Sequence, residues 1–262
     1  MHLARNNYCG GSLINSRWVL TAGHCVQECK KGPWGAGGGQ CRTSHHSVLV
    51  VKLGRHDRTN KEEKTLEIRV SHVSLHPYYK KIYAFKEPKQ FDIALLKLKT
   101  DVNFMLYPHI RPVCLPENNQ QTYAGKQATL TGWGFVNQDM TIPNVLQEID
   151  GPVVSNLDCA HGLHDCYGND QDCAVSGVPK HFICTRFPKG KFCDGDSGGP
   201  LVATAPGHDG VTPGQNYVQI GVVSFAKAMC DQPHYGAYAR VSRMMDWIQR
   251  TVGSGHTECP RK

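Results

Sequence analysis

The hexamer Gly195-Asp196-Ser197-Gly198-Gly199-Pro200 is the stretch on which the reading of this chain turns. A serine hydroxyl is a weak nucleophile and needs a neighbouring base. It also needs backbone N–H groups aimed at the oxyanion that develops on attack, and losing one such donor costs on the order of 3 kcal/mol. Glycines beside the serine let the main chain approach a substrate closely and adopt positive φ. Two further segments supply what the serine lacks. Trp18-Val19-Leu20-Thr21-Ala22-Gly23-His24-Cys25 reads as a buried strand that delivers His24 at its end, pinned by Cys25. Phe91-Asp92-Ile93-Ala94-Leu95-Leu96 sets an acid at the mouth of an apolar strand, where a buried carboxylate needs a partner. An imidazole N–H would satisfy that carboxylate and leave the other ring nitrogen free to take the serine proton.

The chain around these segments is 262 residues long and 40% hydrophobic, with 27 glycines and 15 prolines, as in a turn-rich globular protein. No apolar run reaches the roughly 20 residues that span a bilayer. Twelve cysteines point to an oxidising compartment and to disulfides. A zinc module would show tight cysteine pairs in matching sets, and the close pair Cys25-x₃-Cys29 has no counterpart. The net charge of +7 comes from scattered lysines with no nucleic-acid motif, so it reads as a solvated surface, with a polyanion such as a heparin-like glycan as the rival.

Short β-branched or alternating runs bounded by turn residues recur along the chain: Val48–Leu53, Leu66–Val70, Ile93–Leu98 and Val218–Val223. They argue for a barrel or sandwich. The one helix expected is terminal, capped by Ser242, with Met244, Trp247, Ile248 and Val252 at helical spacing. The Gly-rich stretch from Gly32 to Gly39 lies between Cys29 and Cys41 and reads as a stapled excursion. A seam between two halves is expected near Pro112 to Gly125.

The order His24, Asp92, Ser197, together with Cys9-Gly10-Gly11-Ser12-Leu13-Ile14, Thr131-Gly132-Trp133-Gly134 and Asp246-Trp247-Ile248, resembles the chymotrypsin/trypsin family of serine proteases. The resemblance runs from Cys9 to about Val252, and its triad mechanism is carried over from that family. It implies an all-β fold of two six-stranded antiparallel barrels with a C-terminal helix. The expected division is 1–120 for the first barrel, 121–242 for the second and 243–262 for helix and tail. His24, Asp92 and Ser197 would be catalytic, with the Gly195 and Ser197 N–H groups as the oxyanion hole. Asp196 would form the zymogen-activation ion pair, and Ser224, Phe225 and Ala226 would offer an edge to an extended peptide. The resemblance also implies bonds Cys9–Cys25, Cys159–Cys184 and Cys193–Cys230, with Cys29–Cys41 and Cys166–Cys173 closing insertions. A further family bridge is absent, with alanine at both of its positions, Ala128 and Ala203. Cys114 and Cys259 remain. Either Cys114 ties the domain to an upstream light chain or clip domain, or the two bond to each other.

The chain departs from the family at two places. Relatives begin with an apolar terminus and a strand before the segment like Cys9–Ile14, whereas here Cys9 is preceded by eight residues. Met1 to Asn7 has no apolar core of a signal peptide. The chain is therefore expected to be either a fragment of a longer zymogen or a homologue that cannot mature. A fragment would have an incomplete first barrel with an unpaired edge, and would be inactive or poorly folded as it stands. The second departure is the floor of the substrate pocket, where counting back from Ser197 gives Lys191 or Phe192 rather than a carboxylate. Asp194 would sit at the rim, and Ala226 and Gly236 would leave the walls open. Cleavage after Lys or Arg is therefore not expected.

No cofactor and no metal are expected. In particular Arg55, His56 and Arg58 stand where calcium-binding relatives carry acids, and Glu62 and Glu63 read as a solvated turn. The expected partners are a protein substrate and a serpin-type inhibitor, in an extracellular proteolytic cascade of the invertebrate clip-domain type, with the protein secreted and binding no nucleic acid. The alternative is a non-catalytic homologue that acts as a regulatory binding module.

Overall fold

The computed structural model describes residues 9–29, 41–43, 49–79, 90–117, 122–136, 141–163, 178–187, 196–204, 217–226 and 234–253. The fold starts from a tight turn. Asn15 Oδ1 accepts the N–H groups of Arg17 and Trp18 at 2.8 Å each, and so reverses the chain between β1 (Ser12–Leu13) and β2 (Trp18–Thr21). A one-turn 3₁₀ helix, Gly23–Cys25, follows β2. The hairpin β3 (Gln27–Cys29) and β4 (Cys41–Thr43) comes next, then β5 (Val50–Leu53), β6 (Leu66–Leu75) and β7 (Ala94–Leu98). The first sheet is five-stranded and open among the described residues, in the order β1-β2-β7-β6-β5. The incomplete first barrel expected from the sequence agrees with it.

The second half is a closed barrel in the order β10-β13-β12-β11-β8-β9. Its strands are β8 (Gln127–Gly132), β9 (Gln147–Val154), β10 (Phe182–Phe187), β11 (Pro200–Thr204), β12 (Tyr217–Ala226) and β13 (His234–Arg240). All its pairings are antiparallel. Among the described strands of this half, closure leaves no exposed edge.

The run Ile93-Ala94-Leu95-Leu96 shows how the two halves join. Ala94, Leu96 and Leu98 point into the first core with Val19, Val51 and Ile68. Ile93 and Leu95 point the other way, against Leu20, Val222, Ala239 and Ile248, which come from β2, β12, β13 and the C-terminal helix. A strand buried on both faces needs apolar residues at every position rather than at alternate ones. Asp92, at the head of this strand, is consequently set between two cores with 0% exposure.

Two α-helices are present among the described residues. α1 (Asn156–Leu163) is not legible in the sequence as a helix. Ser155 caps it, its Oγ accepting the Asp158 N–H at 3.0 Å and donating to Asp158 Oδ2 at 2.6 Å. An eight-residue helix is marginal on its own, and its docking on β10 is reinforced by the Cys159–Cys184 disulfide. α2 (Met245–Val252) is the expected terminal helix, with one correction. Ser242 does not cap it, because Val241–Arg243 forms a 3₁₀ turn and the cap position falls to Met244, which has no side-chain cap bond. Gly253 ends the helix at φ 82°.

The Cys9–Cys25 disulfide is formed as expected. Register places Cys29 opposite Cys41, in keeping with the expected bridge, whose side chains lie outside the described residues. Cys114 is disulfide-bonded, with its partner outside the described residues. The expected pairs Cys193–Cys230 and Cys166–Cys173, and Cys259, lie outside them as well. Ala128 and Ala203 are both buried in the second core, where two alanines leave no orphaned thiol.

Candidate active site

The site is assembled from three chain segments that are remote in sequence. β2 ends at Thr21, and the 3₁₀ turn that follows carries His24. Asp92 reaches it from the head of β7. Asp92 Oδ1 accepts the His24 main-chain N–H at 2.8 Å, and Asp92 Oδ2 lies 2.7 Å from His24 Nδ1. A carboxylate beside Nδ1 holds the proton on that nitrogen and leaves the Nε2 lone pair available. The third donor is Ser224 Oγ, 2.6 Å from Asp92 Oδ2. Asp92 is fully buried, Ser224 is 2% exposed and the His24 side chain 15%. The charge is thus hidden, while one face of the imidazole meets the surface.

A β-bulge aims Ser224. The β12–β13 register runs Val223 opposite Tyr238 and then Phe225 opposite Ala237, so Ser224 has no counterpart and its side chain turns towards Asp92. Further along the same strand Ala226 lies opposite Gly236. These positions bring the expected substrate edge, Ser224 to Ala226, beside the expected pocket wall at Gly236. An added Cβ at Gly236 would meet the Tyr238 hydroxyl at 2.5 Å. That hydroxyl is fully buried and paired with Thr185 Oγ1 at 2.8 Å, and burial, reinforced by the Asp196 charge, pushes the phenol well above its ordinary range.

Ser197 sits at the tight turn before β11. Its carbonyl accepts the Gly10 N–H at 2.7 Å, and Gly198 N–H bonds to Val223 O at 2.9 Å. Gly198 has φ 78°, and an added Cβ there would overlap the Thr21 hydroxyl. A Cβ on Gly10 would lie 2.7 Å from the Gly199 Cα. Gly10 and Gly198 are therefore required by close contact between the two motif segments. Cys25 Sγ lies 3.6 Å from the Ser197 carbonyl oxygen. Because Cys25 is disulfide-bonded and carries no S–H, this is a packing contact, and it sets Ser197 against the residue that follows His24. The Gly10 tether was not singled out from sequence as part of the site, although it lies in the Cys9–Ile14 motif.

Asp196 is 5% exposed and its Oδ1 accepts the Gly134 N–H at 2.8 Å. A Cβ at Gly132 or at Gly134 would overlap its carboxylate, which explains the two glycines of Thr131-Gly132-Trp133-Gly134. Lys191, Phe192, Asp194 and Gly195, expected at the pocket and oxyanion hole, lie outside the described residues.

One group of metal-type donors occurs among the described residues: Cys9, His24 and Cys25, with their side-chain donor atoms within 4.8 Å of one another. Both sulfurs belong to one disulfide, so neither is a thiolate and the set does not fit a metal ion. Glu63 departs from the solvated turn expected of it. Its Oε1 accepts the His56 and Asp57 N–H groups at 2.7 and 3.3 Å, and Arg55 Nε lies 3.8 Å from Oε2. The carboxylate is turned inward and closes the loop that Arg55 begins. Glu62 is exposed, as expected.

An open sheet packed on a closed barrel, with a buried carboxylate holding an imidazole through Nδ1 at their junction, is the architecture of the chymotrypsin-type double barrel. The trypsin family model matches residues 1–248, and the chain belongs to that family. It is 31% identical over 248 residues to Serine proteinase stubble of Drosophila melanogaster, covering 93% of this chain and 27% of that protein. It is 31% identical over 255 residues to Vitamin K-dependent protein C of Oryctolagus cuniculus, covering 93% of this chain and 46% of that one. The chain spans less than half the length of these two relatives. No helix of the described residues is long and apolar enough to cross a membrane.

Proposed function

We propose that the protein is a serine endopeptidase in which His24, Asp92 and Ser197 form the catalytic triad. The observation that carries the reading is the Asp92 carboxylate, fully buried and hydrogen-bonded to His24 Nδ1 at 2.7 Å. Burying an ion is costly unless it is paired, and here the pairing also orients the imidazole. In the reaction His24 Nε2 takes the Ser197 Oγ proton as Oγ attacks the peptide carbonyl. Asp92 stabilises the imidazolium that forms, without itself taking the proton. The N–H groups of Gly195 and Ser197 receive the oxyanion. His24 then gives the proton to the leaving amine, and water hydrolyses the acyl-enzyme by the reverse roles.

The substrate strand is proposed to lie along Ser224–Ala226 by β-addition. With Lys191 or Phe192 in place of an acid at the pocket floor, preference for Lys or Arg before the cut is not proposed. Asp196 would receive an activation ammonium, and the buried position of its carboxylate beside Gly134 supports that role. The family supports a secreted, extracellular setting and a protein substrate, and a serpin-type inhibitor is proposed as its regulator. Cys114 is disulfide-bonded, and an upstream light chain or clip domain tied through it is the alternative to a partner such as Cys259. A fluorophosphonate probe tests the proposal. Labelling of the activated protein at Ser197, abolished by Ser197→Ala and His24→Ala, is expected. An activated protein that takes no label overturns the enzymatic reading in favour of a non-catalytic binding homologue.

A further inference from the structure

Immediately before Asp92 the chain does something that its sequence does not announce. Phe91 has φ 52°, a left-handed conformation that an aromatic residue rarely adopts without being held there. The Ile93 N–H donates to Phe91 O at 2.7 Å, so Asp92 is the central residue of a three-residue turn. His76 N–H in turn donates to Ile93 O at 3.2 Å.

The Phe91 ring lies between two imidazoles. His76, just past β6, stacks on one side with centroids 4.9 Å apart and planes 5° from parallel. His181, just before β10, stacks on the other at 4.6 Å and 14°. One imidazole comes from each half of the molecule, so the three-ring stack spans the junction on which Asp92 depends. Trp247 of α2 closes over His76 edge-on at 4.9 Å, and Tyr78 leans on both His76 and Phe91.

We propose that Phe91 is the positioning residue of Asp92, and that His76 and His181, clamping its ring from the two halves of the fold, hold the carboxylate in line with His24. This rests on the triad reading above. Phe91 acts through the main chain, because the turn at Asp92 cannot rotate while the preceding ring is held on both faces. The clamp requires neutral rings. Desolvation lowers both imidazoles from 6.5 to about 4; for His76 the His181 and Arg250 charges add to it. Among the described residues the titratable groups that act on His76 are His181, just before β10, and Arg250 of α2. Two imidazolium ions across one phenyl ring would repel each other, with Arg250 adding to the repulsion. His181 Nε2 is buried with no hydrogen-bond partner among the described residues, so none of them is placed to accept a hydrogen bond from the N–H that a second proton would create.

Three variants of the full chain separate the clamp from backbone preference. Phe91→Gly removes the ring but tolerates φ 52° better than phenylalanine does. Phe91→Ala removes the ring alone, and Phe91→Tyr keeps a ring in place. The first readout needs no activity: the low-field proton resonance of the His24 Nδ1–H···Asp92 hydrogen bond, with folding checked by circular dichroism. The resonance is expected to shift or broaden away in Phe91→Gly and Phe91→Ala and to return in Phe91→Tyr. The second readout is the rate of fluorophosphonate labelling and kcat, expected to fall roughly ten- to a hundredfold in Phe91→Gly with KM little changed, as for a displaced catalytic group. A folded Phe91→Gly with the parental resonance and the parental kcat overturns the clamp. A parent that never labels overturns the enzymatic reading, and the resonance alone then judges the clamp.

Discussion

Replacing Ser224 by alanine removes one hydroxyl and nothing else, because the Cβ and the bulge that carries it remain. The hydroxyl lies 2.6 Å from Asp92 Oδ2, with donor and acceptor residues 2% and 0% exposed. Asp92 keeps the two His24 bonds at 2.8 and 2.7 Å, so the imidazole stays oriented. What is lost is one hydrogen bond to a buried charge, about 2 kcal/mol within a usual range of roughly 1.5–3. For a domain of this size that corresponds to a Tm lowered by about 4–8 °C. If half of the loss persists when imidazolium forms in the transition state, kcat falls about fivefold. KM should hold, since Asp92 does not touch substrate. The assays are differential scanning calorimetry and steady-state hydrolysis of a peptide amide by the activated protein. A Ser224→Ala protein with its Tm and kcat within error of the parent would refute the view that Ser224 satisfies the carboxylate of the proposed triad.

Three other perturbations follow from the same geometry. Gly134→Ala puts a methyl group into the Asp196 carboxylate, and is expected to cost about 3 kcal/mol and to slow labelling of Ser197; a parental unfolding midpoint in urea would contradict this. Arg240 is held by Phe182 O at 2.9 Å, Thr122 O at 3.3 Å and Asn156 Oδ1 at 2.8 Å. Arg240→Met should therefore destabilise by on the order of 3 kcal/mol, with Arg240→Lys recovering less than half, as urea titrations would show. The neutral pair His76 and His181 gives a pH signature. Both are depressed to about 4 in the fold against 6.5 when unfolded. The unfolded chain therefore binds more protons between these values, and stability falls as pH falls from 6.5 towards 4. The upper bound at pH 5 is about 2 kcal/mol per imidazole. A His76→Phe/His181→Phe double variant should lose less stability over that window than the parent, and an equal loss would refute the assignment.

Much of the site was legible because its chemistry is local. Gly198 and Gly199 of GDSGGP sit where an added Cβ has no room, and His24 and Asp92 are flagged by the apolar strands beside them. The strand at Ile93–Leu98 was legible for the same reason, since a run without alternation has to be buried on both faces. α1 was not legible, because a helix of eight residues is held by its Ser155 cap and by the disulfide at Cys159, and little in its periodicity says so. Ser242 was misread as a cap, because it lies inside the 3₁₀ turn Val241–Arg243 that precedes the helix, and only the folded backbone separates the two. Glu63 looked like a solvated acid among lysines, and only the folded loop turns its carboxylate onto two N–H groups.

What the sequence by itself determined is the set of reactive groups and the segments that present them, since side-chain chemistry and strand burial are written residue by residue. Tertiary structure alone decided how those groups are held. The bulge that turns Ser224 onto Asp92 is a mismatch of register between two strands. The clamp on Phe91 joins residues 76, 91 and 181 across two halves of the fold. Neither exists until the strands are paired and packed, because each depends on where a distant backbone comes to rest.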